Sequence, residues 1–186
     1  CAVRATMTAR DRRRAIHLDV PVDLRSLFGS ATLRNFFGLA FITYTPGDAN
    51  APLVEVAAEV QRQLTAGCEP ASLKRRMMAM IKLEKNPLLR AAPLIVKDAA
   101  LAVADARAAR EVTTTVSSLG RVALDECTAP YVEGISALTS TSGLNFIVCT
   151  YGDDLSIGIS SRFLGQKVTR ALAEVLEDEG MRGYLN

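Results

Sequence analysis

Hydrophobic periodicity changes character three times along this chain, and the order of those changes limits the folds open to it. Ile16, Leu18, Val20 and Val22 alternate with the two-residue period of a half-buried strand, weakened in its last rung by Pro21. Phe36 to Tyr44 follows as a continuous apolar run, rich in aromatic and branched residues, which reads as a buried strand stopped by the Pro46-Gly47-Asp48 turn. Helical spacing then takes over. Leu53, Val56, Ala57, Val60 and Leu64 share one face, with Asn50 as a cap and Gly67 as a stop. Pro70 opens a second helix with the stripe Leu73, Met77, Met80 and Ile81, ended by Asn86-Pro87, and an Ala-rich third runs from near Pro93 to about Ala109. Beyond Glu111 the period returns to two, in Val112 to Leu119 closing on Gly120, Tyr131 to Leu138, Leu144 to Tyr151 and Leu155 to Ser160. The last two join through Gly152-Asp153, a tight hairpin signal. Leu164, Val168, Ala171, Leu172, Val175 and Leu176 then mark an amphipathic helix that stops at Gly180. Bunched helices and bunched strands predict an α/β fold of the α+β sandwich kind, a mixed and largely antiparallel sheet covered by helices.

Composition narrows the chemistry more than the fold. The 186 residues are 49% apolar, enough for one sizeable core, and 22 basic residues against 20 acidic ones give no global electrostatic case for nucleic acid or a membrane surface. The chain has 1 histidine, so a titrating imidazole means His17 or nothing. His17 and Asp19 alternate away from the apolar set of their strand, which argues against His17 as a catalytic base. Cys1, Cys68, Cys127 and Cys149 form no C-x-x-C pair and read as scattered reduced thiols, so a cytoplasmic location is expected. No uncharged stretch approaches the roughly 18 residues of a membrane span. Residues 1–15, with Arg4, Arg10, Arg12, Arg13 and Arg14, read as a solvated arm or a linker from a missing N-terminal lobe, and a beginning at Cys1 is expected of a fragment or a processed end.

Motif searches return little. There is no G-x-x-x-x-G-K and no G-x-G-x-x-G, and one histidine excludes H-E-x-x-H. Asp125-Glu126, Asp153-Asp154 and Glu177-Asp178-Glu179 lie at turns or a helix end and read as wet charges, so no metal is expected. Thr139 to Gly143 reads as a hairpin loop.

Two segments are more distinctive. The first is Val20-Pro21-Val22-Asp23-Leu24-Arg25, continued by Phe28-Gly29-Ser30-Ala31-Thr32-Leu33-Arg34-Asn35-Phe36-Phe37-Gly38. The second is Thr113-Thr114-Thr115-Val116-Ser117-Ser118-Leu119-Gly120-Arg121-Val122, followed by the strand pair Leu144 to Ser160 and the closing helix. Together they resemble the C-terminal lobe of the CoA-dependent acyltransferase superfamily, as in condensation-like domains and alcohol O-acetyltransferase-like proteins. There a V-P-V-x-L-R strand, a T-x-x-N-x-x-G approach to the next strand and an S-N-x-G turn recur in this order. The resemblance covers about Ile16 to Met181, so residues 16–186 are expected to form one acyltransferase-like lobe, half of a chloramphenicol-acetyltransferase-like fold.

The resemblance implies a two-lobe enzyme that moves an acyl group from a CoA or carrier-protein thioester to an alcohol or amine, with no tightly bound cofactor. The family's base is the second histidine of a His-His-x-x-x-Asp motif in the N-terminal lobe, which this sequence lacks, so the chain is expected to be inactive alone. Ser117, near the S-N-x-G turn, is the candidate hydrogen-bond donor to the reacting carbonyl oxygen, against the alternative of a strand-end hydroxyl bonding its own backbone. Ser118 stands where the pattern has Asn and is the candidate substrate contact, with a hydroxyl in place of an amide. Arg25 and Asn35 read as structural, Arg25 pairing with a carboxylate and Asn35 satisfying loose backbone groups. Gly38 and Gly120 read as positions of close backbone approach or positive φ. Expected partners are the missing N-terminal lobe, the acyl thioester and, through the exposed lobe face, a second copy of the chain. The alternative function is a non-catalytic binding or assembly module that keeps the fold.

Overall fold

The computed structural model describes residues 2–8, 11, 14–45, 52–141, 143–162 and 165–184. In chain order these form α1 (Ala2–Thr6), β1 (Ile16–Asp23), α2 (Arg25–Phe28), β2 (Phe37–Tyr44), α3 (Leu53–Gly67), α4 (Pro70–Glu84), α5 (Pro87–Ala91) and α6 (Leu94–Glu111). Then come β3 (Thr114–Val122), a 3-10 turn at Ala129–Tyr131, β4 (Leu144–Tyr151), β5 (Asp154–Ser161) and α7 (Lys167–Asp178). The strands make one mixed sheet in the order β2-β1-β3-β4-β5. Both outer pairs are antiparallel and matched along their full length, from Ile16 opposite Tyr44 to Asp23 opposite Phe37, and from Leu144 opposite Ser161 to Tyr151 opposite Asp154. The inner pairs are parallel. β1 meets β3 through just two rungs, Leu18 with Thr114 and Asp19 with Thr115. The α+β sheet covered by helices is therefore the architecture of this chain.

Helices α3 and α4 pack against β2, on the face where Ala40 and Ile42 lie beside Val20 and Leu18 of β1. Side-chain size sets how closely they lie. A Cβ at Gly67 would stand 3.1 Å from the Ala40 Cβ, and one at Gly38 would stand 3.1 Å from Leu73 Cδ2. Ala40, Ile42 and Leu73 are consequently buried. The outer edge of β2 is closed by polar side chains from the same helices. Gln63 and Thr43 exchange two hydrogen bonds, and Arg76 Nη1 donates to the Leu39 carbonyl at 2.7 Å while its guanidinium lies over the Phe41 ring. Open strand edges invite pairing with other chains, and these contacts remove the invitation at β2.

Several expectations from sequence are corrected. Tyr131 to Leu138 is not a strand: its first residue closes the 3-10 turn that contains Pro130, Gly134 interrupts the rest, and beyond the turn it runs as irregular backbone across β4 and β5. One of its carbonyls is met there, since Cys149 Sγ donates to Ile135 O at 3.3 Å, and Tyr151 Oη donates to Ala129 O of the preceding turn at 3.4 Å. The head is not simply a solvated arm, because α1 packs against α7, with Ala2 and Ala171 both buried. Arg10, Arg12, Arg13, the Pro46-Gly47-Asp48 turn, the Asn50 cap and Leu164 lie outside the described residues. Between β1 and β2 the chain forms the helical turn α2, and it turns helical again at α5 directly after Asn86.

Among the described residues, α6 makes no more than marginal contact with any other element. Leu94, Ile95, Leu101 and Val103 on it are exposed, as are Met80 and Leu83 on α4. The accessible surface is 14162 Å², whereas a compact monomer of this mass exposes about 8,700 Å². No described helix is long and apolar enough to cross a membrane.

Candidate functional site

Register decides which side chains share the sheet face opposite α3 and α4. Pairing places Phe41, Asp19, Thr115, Asn145 and Ser160 in one row across all five strands. One step along β3 on the same face lies Ser117, opposite Ile147, which is opposite Gly158. One step the other way lies His17, opposite Thr43. At Gly158 the irregular segment crosses so closely that a Cβ would collide with the Ala137 carbonyl oxygen.

Ser117 and Ser118 separate onto opposite faces. Ser118 is exposed, and its Oγ accepts the Gly120 N–H at 3.2 Å where the β3–β4 register slips by one residue. Gly120 has φ +70° there, a left-handed conformation that glycine adopts without steric cost. The strand-end hydroxyl that bonds nearby backbone is thus Ser118. Ser117 is half-buried, and its hydroxyl has no hydrogen-bond partner among the described residues.

The residues read as structural divide likewise. Arg25 binds Asp23 Oδ1 at 2.9 Å, and donates to the carbonyls of Thr32 and Arg34 at 2.8 Å each, which folds residues 30–34 back onto α2. The Arg25 backbone N–H bound to Asp23, and after it the guanidinium, hold that carboxyl below its usual range. Asn35 is exposed, and its side chain makes no hydrogen bond among the described residues. The strand approach is fastened by main chain instead, Leu24 N–H to Phe36 O at 3.1 Å. Gly38 is the position of close approach to Leu73 and Leu24.

His17 is engaged in holding strands together. Its Nδ1 lies 3.1 Å from Thr43 Oγ1, its backbone N–H donates to Thr113 Oγ1 at 3.1 Å, and its carbonyl accepts from Thr113 N–H at 2.9 Å. Ser117 stands four residues beyond Thr113, about 13 Å along an extended strand, so no His–Ser pair forms. Asp19 and Asn145, which sequence reasoning did not single out as a pair, are the unusual members of the face. They are 9% and 6% exposed, and Oδ1 of each is buried without a hydrogen-bond partner among the described residues. Burial raises the Asp19 pKa, opposed by the charge of His17. Asp19 was legible as the lone carboxylate amid an apolar alternation, but its neighbours come from register across three strands. No group of three or more His, Cys, Asp or Glu among the described residues is placed to hold a metal. Comparison with protein-family models, curated proteins and solved structures gives no match to this chain.

Proposed function

We propose that this chain is one lobe of an acyltransferase, presenting the Ser117 face to an acyl thioester while a second lobe supplies the base. The observation that carries this is the separation of Ser117 from His17: a hydroxyl without a partner among the described residues sits on a half-buried face, and the one imidazole lies against Thr43 on another part of it. A base on the second lobe takes the proton from an acceptor hydroxyl or amine as it attacks the thioester carbonyl. Negative charge then gathers on that carbonyl oxygen, where the Ser117 O–H donates a hydrogen bond. Collapse of the adduct expels the thiolate of CoA or of a carrier arm, which takes up the proton. A fixed donor of this kind is worth about 10²-fold or more in rate.

The exposed apolar surface supports a second lobe. Met80 and Leu83 on α4 and Leu94, Ile95, Leu101 and Val103 on α6 are exposed apolar side chains of the kind a second lobe would cover. Without its partner the lobe covers that surface by self-association. Acyl transfer from acyl-CoA to alcohols and amines is measured with this chain alone and with it joined to a lobe bearing His-His-x-x-x-Asp. The reading requires turnover in the joined protein alone. Equal turnover by the isolated chain contradicts it, and thioester binding without turnover in either preparation favours a binding module.

A further inference from the structure

The two edges of the sheet are finished differently. On β2 the outward main-chain groups of Thr43 are taken by Gln63, and the Leu39 carbonyl by Arg76. On β5 the direction of each group follows from one bond. Arg162 N–H donates to the Gly143 carbonyl at 3.0 Å, which continues the β4–β5 register by one rung and makes these opposite residues a hydrogen-bonded pair. Alternation from that rung turns the main chain of Ser160, Gly158, Ser156 and Asp154 toward β4, and that of Leu155, Ile157 and Ile159 outward. β5 ends the sheet, and among the described residues nothing bonds the outward N–H and C=O groups of those three.

Nothing on the strand guards this edge. Protected edges carry lysine, proline, a bulge or an inward charge. From Leu155 to Ser161 the strand has no charged residue, no proline and no register shift. The irregular segment crosses at Gly158, on the face away from the Leu155, Ile157 and Ile159 side chains, and bonds none of the three. The strand is also complementary to itself. Laid antiparallel on a second β5 about a two-fold axis at Ile157, Leu155 of each copy falls opposite Ile159 of the other, and Ile157 opposite Ile157. Every outward N–H of these residues then meets an outward C=O, and apolar side chains pair across the join. Asp154 falls opposite Ser160, so no like charges meet.

We propose that the β5 edge binds a second copy of this chain, joining two sheets into one across a two-fold axis. The join uses main chain at the sheet margin, and its test involves no acyl transfer. Amide hydrogen exchange is followed by NMR on the intact chain, dilute and concentrated. In the dilute sample Leu155, Ile157 and Ile159 are expected to exchange fast, while Ser156, Gly158 and Ser160, bonded to β4, exchange slowly. Concentration slows the first set about tenfold or more, because a chain paired nine-tenths of the time exchanges from the remainder. Leu155→Lys, at a position 51% exposed, sets an ammonium against the join and restores fast exchange at Ile157 and Ile159, with Gly158 still slow as the sign that the strand is folded. Leu101→Lys leaves the slowing in place, which separates this join from association through α6. Fast exchange of the outward amides at every concentration, slowing already complete in the dilute sample, or slowing abolished by Leu101→Lys and not by Leu155→Lys overturns the proposal.

Discussion

Gln63 matches both main-chain groups of Thr43: its Oε1 accepts the Thr43 N–H at 2.8 Å and its Nε2 donates to the Thr43 carbonyl at 2.9 Å. A side-chain amide on α3 thereby stands in for the next strand of the sheet. Gln63→Leu removes both bonds and reopens the β2 edge, at a cost of about 1–2 kcal/mol and with increased self-association. Urea denaturation and size-exclusion chromatography check this, and an unchanged midpoint with unchanged elution contradicts it.

Gln63 is itself held by Glu59, whose carboxylate accepts from Gln63 Nε2 at 2.6 Å and from Arg62. The Arg62 bond first, and the Gln63 bond second, lower the Glu59 pKa from 4.5 to about 2. The carboxylate is preferred in the folded state, so its contribution is present in full above the unfolded value of 4.5 and is lost as pH falls toward about 2. Asp23 and Asp125 are lowered also and act with the same sign. Melting temperature followed from pH 5 downward should fall less steeply in Glu59→Gln than in the unaltered chain. Parallel curves contradict the assignment. Because the pair is exposed, added salt shrinks the difference.

Three glycine replacements rank by what the new methyl meets. Gly158→Ala drives a Cβ into the Ala137 backbone carbonyl, Gly67→Ala meets the Ala40 Cβ, and Gly38→Ala meets the movable end of Leu73. Gly158→Ala should cost the most, about 1–3 kcal/mol or displacement of the crossing segment, and Gly38→Ala the least. Denaturation midpoints in the reverse order contradict this packing.

Ser117→Ala and Ser118→Ala should fail differently. Loss of Ser118 Oγ leaves the Gly120 N–H without its acceptor at the register slip and costs about 1 kcal/mol of stability. Loss of Ser117 Oγ removes no hydrogen bond among the described residues, so stability holds. Acyl transfer by the two-lobe protein falls about 10²-fold with Ser117→Ala. Equal rate losses in the two variants contradict the assigned roles.

Local pattern carried most of the architecture. Alternation from Ile16 to Val22 and the apolar run before Tyr44 placed β1 and β2 within a residue or two, and helical spacing placed α3, α4 and α6. Tyr131 to Leu138 failed because alternation records which side chains face inward and says nothing of whether backbone groups find a strand to pair with. Here the Ile135 carbonyl meets the Cys149 side chain instead. Alternation also placed His17 and Asp19 off the apolar face correctly, but that face is not open water, since Asp19 is more buried than Leu18 or Val20. The Asp19–Thr115–Asn145 row depends on two parallel registers between segments far apart in sequence, which no local signal encodes. Ser117 and Ser118, adjacent in sequence, part company because consecutive strand residues face opposite ways.

The most direct test of the Ser117 face as a thioester surface is an amide NMR titration of the isolated chain with acetyl-CoA at millimolar concentration, following the thioester in the same tube. The account predicts movement of Thr115 and Ser117 signals with little at Ser118, while the thioester remains intact. Still signals on that face, or a thioester consumed by this chain alone, would contradict it.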